Sequence, residues 1–382
     1  TAAATCCDHL IRLIRLFRLF YLFRLFRLSC LPSPERPQEP GVMRLAVNLT
    51  YQGATELARA AEQLGYAAVL APEGYRSDAA SLLGLVAGQT ERVALISGVM
   101  QIPARPPGLT ALTAATLDAL SGGRFRLGLG VSNPDVARGW YGAGADRPLG
   151  RTREYVDLVR RALSGDPVHH EGRHYSVGGP APLHVLTRPV RPDLPVYLAA
   201  VGPANLGLAG EIADGWIGVF TAPEAVKEAV AEIADGRKRA GRDMAGFEVL
   251  PSLPTAVGPD PAAAADLLRD QYVYLMGIGD AERNVYCTLA RRLGYGRVAD
   301  ELRKRLAAGD RAGAAAVLPV DYIDRTALIG PVPRIAERMA EYAETGVTTL
   351  GVMVSAAAGS TAGRLAILRS CAAAWELSGT AS

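Results

Sequence analysis

The chain has 382 residues, 49% of them hydrophobic and 21% charged, with a formal net charge of +3. That balance suits a globular protein with ample core material and excludes a disordered or collagen-like chain. Residues 1–42 hold six arginines against Asp8, Glu35 and Glu39, which leaves 35 basic and 35 acidic residues in the body, so no nucleic-acid footprint is expected.

Residues 11–28 read IRLIRLFRLFYLFRLFRL, a repeat of about three residues. Arg12, Arg15, Arg18, Arg24 and Arg27 ring a helix instead of forming one stripe, so this is no clean amphipathic membrane helix. The longest uncharged run, Leu19–Phe23, is too short for a membrane span or a signal peptide. Residues 1–42 are expected to be an extension without a folded role, with Leu31–Gly41 as a linker and translation naturally starting at Met43. A membrane- or partner-binding arm is the alternative. Cys6, Cys7, Cys30, Cys287 and Cys371 show no zinc or redox spacing, so a reducing cytoplasm and no disulfides are expected.

From Met43 onward, short apolar runs alternate with helical patterns, which predicts parallel strands joined by helices. Candidate strands are Leu45–Leu49, Ala67–Ala71, Ala94–Val99, Arg126–Val131, Val196–Val201, Gly215–Phe220, Phe247–Leu253 and Leu350–Val354. Eight such units suit a (β/α)8 barrel spanning 43–382 as one domain, with insertions near 165–192 and 277–325. A doubly wound open sheet is the alternative.

Four stretches carry candidate chemistry. Glu73 follows a strand end, where its carboxylate would orient a ring N–H, act as acid or base, or cap the next helix. Ser97-Gly98-Val99 breaks a strand with small residues, which suggests a bulge. In RFRLGLGVS, Phe125, Leu127, Leu129 and Val131 share one face, while Arg126, Gly128, Gly130 and Ser132 share the other. A nearly bare face turned inward would leave room for a ligand at the strand's carboxyl end. GLG here is no dinucleotide fingerprint, since its glycines lie inside the strand and Asn133 follows. In VYLAAVGPANLG, Gly202 and Pro203 turn a strand into a helix whose free N–H groups near Ala204 and Asn205 suit a phosphate, or simply make a turn. HHEGRHY, with His169, His170, Glu171 and His174, reads as a surface hairpin and not as a metal site.

PEGYRSDA, SGVMQIPARPP, TLDALSGGRFRLGLGVS, GWYG, RTREYVDLVRRAL, RPDLPVYLAAVGPANLGLAGEIADGW and GVTTLGV together closely resemble the luciferase-like monooxygenase superfamily, in its branch using the deazaflavin coenzyme F420. The resemblance runs from about Met43 to Leu377. It implies a luciferase-like (β/α)8 TIM barrel whose mouth binds the coenzyme, with a non-proline cis peptide at Gly98-Val99 behind the ring. It places Val131 and Ser132 along the cofactor, Glu73 near the ring's polar edge, and the phosphate at Val201, Gly202, Ala204 and Asn205. The sugar-phosphate dehydrogenases of this fold carry a histidine and a glutamate where this chain has Gly74 and Asn133, so that reaction is not expected. Arg138 replaces the usual acid before GWYG. The expected reaction is hydride transfer from reduced F420 to an electron-poor C=C or C=N bond of a small-molecule or peptide substrate, with Glu73, Tyr75 and Asn133 as candidate acid or orienting groups. FMN is the alternative cofactor, in a monooxygenase on the same barrel. A non-catalytic flavin- or partner-binding barrel is a third reading. A cytoplasmic homodimer without a metal, a membrane contact or a nucleic-acid partner completes the expectation.

Overall fold

The computed structural model describes residues 42–74, 77–191 and 193–381. The expectations for residues 1–41 and for Tyr75 lie outside the described residues.

The elements run β1 (Arg44–Asn48), α1 (Ala54–Gln63), β2 (Ala68–Ala71), α2 (Ala79–Ala87), β3 (Ala94–Ser97), β4 (Met100–Gln101), α3 (Pro107–Leu120), β5 (Phe125–Gly130), α4 (Pro134–Tyr141) and α5 (Pro148–Leu163). A small hairpin follows, β6 (His170–Glu171) and β7 (Ser176–Val177), then β8 (Val196–Ala199), α6 (Pro203–Ile212), β9 (Gly215–Val219), α7 (Pro223–Arg239) and β10 (Glu248–Val257). Short helices α8 (Pro261–Asp266), α9 (Arg269–Met276), α10 (Val285–Arg292), α11 (Gly296–Ala307), α12 (Arg311–Ala316) and α13 (Val320–Thr326) lead to β11 (Leu328–Gly330), α14 (Val332–Ala343), β12 (Thr349–Met353) and α15 (Thr361–Leu377).

Among the described residues, β1, β2, β3, β5, β8, β9, β10 and β12 pair in parallel, each with the next. Pairing of β12 with β1 closes the ring, and closure excludes the open sheet. All eight expected strands form, displaced by a few residues at their ends. The strand expected over Ala94–Val99 stops at Ser97 and resumes at Met100. β11, unforeseen, extends the end of β10 and is too short to show a pattern.

Proline starts α3, α4, α5, α6, α7 and α8, where its fixed φ fits and its missing N–H costs no bond. Strand alternation then divides the apolar residues into two layers. Phe125, Leu127 and Leu129 join the large core between strands and helices. Ala46, Ala68, Leu70, Ala94, Ile96, Tyr197, Ile217 and Leu250 fill the barrel itself. At its amino end a polar layer closes the floor: Arg44 pairs with Glu248 at 2.6 Å, and Thr349 donates to the same carboxylate. Buried Arg126 sits beside Tyr197 and Glu248 there. The helices between β10 and β11 build a separate apolar cluster around Tyr272, Tyr322 and Phe220.

The β6–β7 hairpin is held by one carboxylate on α5. Glu154 accepts from the N–H groups of His174 and Tyr175 at 3.1 and 2.9 Å, and its Oε1 lies 2.9 Å from His170 Nε2. Burial opposes its charge, but these hydrogen bonds outweigh that and hold the carboxyl below its usual value. A depressed carboxylate stabilises the fold above the usual glutamate value of about 4.3, and that contribution fades as pH falls through the lowered value. The protection of the His174 and Tyr175 amides, relative to their intrinsic exchange at each pH, is expected to fall on acidification while core amides stay protected. Protection at these two amides that is insensitive to acid would refute this.

Candidate active site

The carboxyl ends of the barrel strands and the loops beyond them form the mouth. There β3 and β5 part company. Ile96 is level with Arg126, and the ladder resumes with Met100 opposite Leu129. Three residues, Ser97–Val99, therefore face two, Leu127 and Gly128, which makes a bulge. Ser97 Oγ bridges the gap, donating to the Gly128 carbonyl at 2.9 Å and accepting from its N–H at 2.8 Å. The Gly98–Val99 peptide bond is cis.

The bare face of β5 does turn inward, but it is not empty. A Cβ on Gly128 would stand 1.9 Å from the Ser97 carbonyl oxygen, and one on Gly130 would stand 2.7 Å from Val99 Cγ2. The room vacated by these glycines holds the bulge of the neighbouring strand. The expectation of a ligand space along that face is corrected accordingly.

Past β5, Val131 packs partly on the outer core and Ser132 takes a φ of 62°, a region most residues avoid. Asn133 caps α4, its Oδ1 accepting from the Asp135 N–H at 2.8 Å. That bond commits its oxygen to the helix. Asp135 in turn accepts from the Asp280 N–H and from Arg283 at 2.7 and 2.8 Å, tying the helical segment after β10 to the edge of the mouth. The Asp280 N–H and then Arg283 lower its carboxyl below the usual aspartate value.

Glu73 lies just past β2 and is nearly enclosed. Its carboxylate accepts from Arg105 Nε and Nη2 at 3.0 and 2.7 Å, from the Gln101 N–H at 3.1 Å and from the Ala79 N–H at 3.4 Å. The Ala79 bond reaches the first residue of α2, where Asp78 supplies the closer cap. Gln101 also donates Nε2–H to the Glu73 carbonyl at 3.0 Å, which leaves its buried Oε1 without a partner. Met100 faces the outer core, so Gln101 faces the mouth. Asn48 Oδ1, at the end of β1 on the face of Ala46, is likewise buried and unpartnered.

At the end of β8, Gly202 begins α6 with no side-chain cap, and a Cβ on Gly202 would meet nothing within 4 Å. Asn205 gives its N–H to the Gly202 carbonyl at 3.0 Å, so of the expected donors it is turned inward. The Ala204 N–H donates to no acceptor among the described residues. Beside it, Arg292 from α10 donates to the Val201 carbonyl at 2.7 Å. Sequence reasoning missed Gln101 and Arg292. Gln101 stood inside the SGVMQIPARPP stretch, whereas nothing local marks Arg292, which arrives from 91 residues away.

The luciferase-like monooxygenase family model matches residues 23–349. This chain belongs to that family. A relative from Mycobacterium tuberculosis, described as a coenzyme F420-dependent oxidoreductase, is 37% identical over 333 residues, covering 82% of this chain and 96% of that one. The 5,10-methylenetetrahydromethanopterin reductase of Methanopyrus kandleri is 27% identical over 288 residues, 71% of this chain and 79% of that one. Among solved structures, the coenzyme F420-dependent tetrahydromethanopterin reductase of Methanopyrus kandleri superposes with a TM-score of 0.74 at 23% identity, covering 86% of this chain and 97% of that one. An FMN-bound Baeyer-Villiger monooxygenase component from Pseudomonas putida reaches 0.63 at 17% identity, over 87% and 97% of the two chains. An F420-dependent enzyme and an FMN-bound one thus share the fold of this chain.

Proposed function

We propose that this chain is an oxidoreductase that transfers a hydride from reduced coenzyme F420 to an electron-poor C=C or C=N bond of a small-molecule or peptide substrate. The observation that carries the reading is the open turn at Gly202–Ala204. It offers an unpartnered backbone N–H at the start of a helix with the Arg292 guanidinium alongside, as an anionic cofactor tail requires. The relative at 37% identity supports F420 as the owner of that tail.

The residues present fit such a group. Asn48 and Gln101 aim buried, unpartnered oxygens at the mouth, ready to accept from a ring's N–H or hydroxyl. Gly98, Val99, Val131 and Ser132 form the wall on one side, and Val201, Gly202 and Ala204 receive the phosphate. When bound, the reduced deazaflavin supplies the hydride; the protein orients it and keeps water away. Gln101, held by Glu73, fixes the ring's polar edge. Glu73 is a positioning residue through Arg105 and Gln101, and Asn133 shapes the loop through its cap. Tyr75 is left as the candidate for protonating the acceptor.

We further propose a cytoplasmic homodimer. Leu85 on α2 and Leu109, Leu112 and Leu120 on α3 are exposed, an apolar surface a partner copy would cover. No helix of the described residues is long and apolar enough to cross a membrane.

Titration of the purified protein with F420 and with FMN tests the cofactor. F420 is expected to bind in the micromolar range or tighter, with FMN at least about tenfold weaker. Tight FMN binding without F420 binding would assign the barrel to a monooxygenase.

A further inference from the structure

A cavity of about 420 Å³ opens at the amino end of α5 and is lined by Asp146, Arg147, Arg151, Arg173 and His174. Its charge is lopsided. Three guanidinium groups face a single carboxylate, and Asp146 is 83% exposed and turns toward Arg138 at 3.9 Å. No side-chain hydrogen bond or ion pair joins the Arg147 or Arg173 guanidinium to another described residue. Arg151 lies over the Tyr175 ring, 5.8 Å from its centre, and its buried Nε has no acceptor. Arginines on the opposite side of α5 and on α7 behave otherwise: Arg153 and Arg239 both close on Glu211, and Arg160 closes on Asp214. Like charges gathered with too few counter-charges repel one another, so a cavity built this way favours a ligand with several negative charges. Guanidinium forks match carboxylates in particular, pair by pair.

The place of the cavity narrows the ligand. α5 and α6 follow successive neighbouring strands of the barrel. In a (β/α)8 barrel both helices begin at the mouth, so the cavity and the Gly202–Ala204 turn share one rim. F420 continues beyond its phosphate into a chain of glutamates, a flexible polycarboxylate.

We infer that the Arg147–Arg151–Arg173 cavity holds the oligoglutamate tail of the coenzyme. The inference rests on the F420 reading above. The deazaflavin and phosphate are gripped inside the mouth, while the tail crosses the rim and neutralises the arginine cluster. Such contacts are exposed and each is weak, so they act together and fade with salt.

The test uses the full chain and two probes, F420 with its oligoglutamate tail and the same coenzyme cut back to the phospholactyl group. Binding is read from quenching of coenzyme fluorescence at low salt. The tailed form is expected to bind about tenfold more tightly, the sum of several exposed ion pairs. In the Arg147→Glu/Arg173→Glu double variant that advantage is expected to vanish, while the tail-less form keeps its affinity. An unchanged circular-dichroism melt confirms that the variant folds. Equal binding of both forms by the unaltered protein, or an advantage that survives in the double variant, overturns the tail site and leaves the F420 reading standing. Binding of neither form overturns both.

Discussion

Replacing Glu73 with alanine is expected to lower stability by about 2–4 kcal/mol, because it leaves the buried Arg105 with only the half-exposed Asp78, at 3.4 Å, as a counter-charge. The side chains of the pair are only 7% and 14% exposed, and the carboxylate also holds the Gln101 and Ala79 N–H groups. Removing the charge on both sides relieves most of the penalty. Glu73→Ala/Arg105→Met is therefore expected to be at least about 2 kcal/mol more stable than the sum of the single changes predicts. Thermal or urea unfolding of the four proteins measures this. The same set separates two roles for Glu73. As a positioning residue, its isosteric variant Glu73→Gln weakens coenzyme binding and lowers the melting temperature, but keeps both limbs of the kcat pH profile. As the proton donor, Glu73→Gln would delete one limb with the melt unchanged. The geometry predicts the first outcome, since the carboxylate is taken up by Arg105 and by the Gln101 and Ala79 N–H groups.

The barrel was legible because alternation is a local property. Phe125, Leu127 and Leu129 declare their face from spacing alone, and so do Ala46, Leu70 and Ile217. What meets a face is not local. The glycines of β5 read as vacant space, yet the atoms that occupy it belong to Ser97 and Val99, about thirty residues earlier. Polar candidates suffer the same way. Asn133 and Glu73 stand at strand ends where reacting groups sit, but Asn133 meets the amide of Asp135, and Glu73 meets an arginine that sequence distance conceals. Gln101 went unnoticed for the converse reason. A glutamine in a short apolar run is unremarkable until its backbone neighbours leave its oxygen facing the mouth with nothing to bind.

Gly128→Ala is expected to be the most damaging single-methyl change in the barrel, at about 3 kcal/mol or more. The new Cβ would stand 1.9 Å from the Ser97 carbonyl oxygen, 3.0 Å from Ile217 Cδ1 and 3.1 Å from the Ser97 carbonyl carbon. Ile217 can turn aside by changing rotamer, but a backbone carbonyl has no such freedom. The bulge must move away by more than an ångström, which breaks both bonds between Ser97 Oγ and Gly128 and carries Val99 off Gly130. Coenzyme affinity is then expected to fall with stability, by tenfold or more, because the wall at Gly98–Val99 shifts with the bulge. Gly202→Ala is the matched control. It adds the same methyl where φ is −80° and no atom lies within 4 Å, so stability should change by less than about 1 kcal/mol. If the turn receives a phosphate, that methyl intrudes on the ligand alone, and binding weakens in a protein that melts normally. Equal melts for the two variants would mean that the glycines of β5 do not hold the bulge in place.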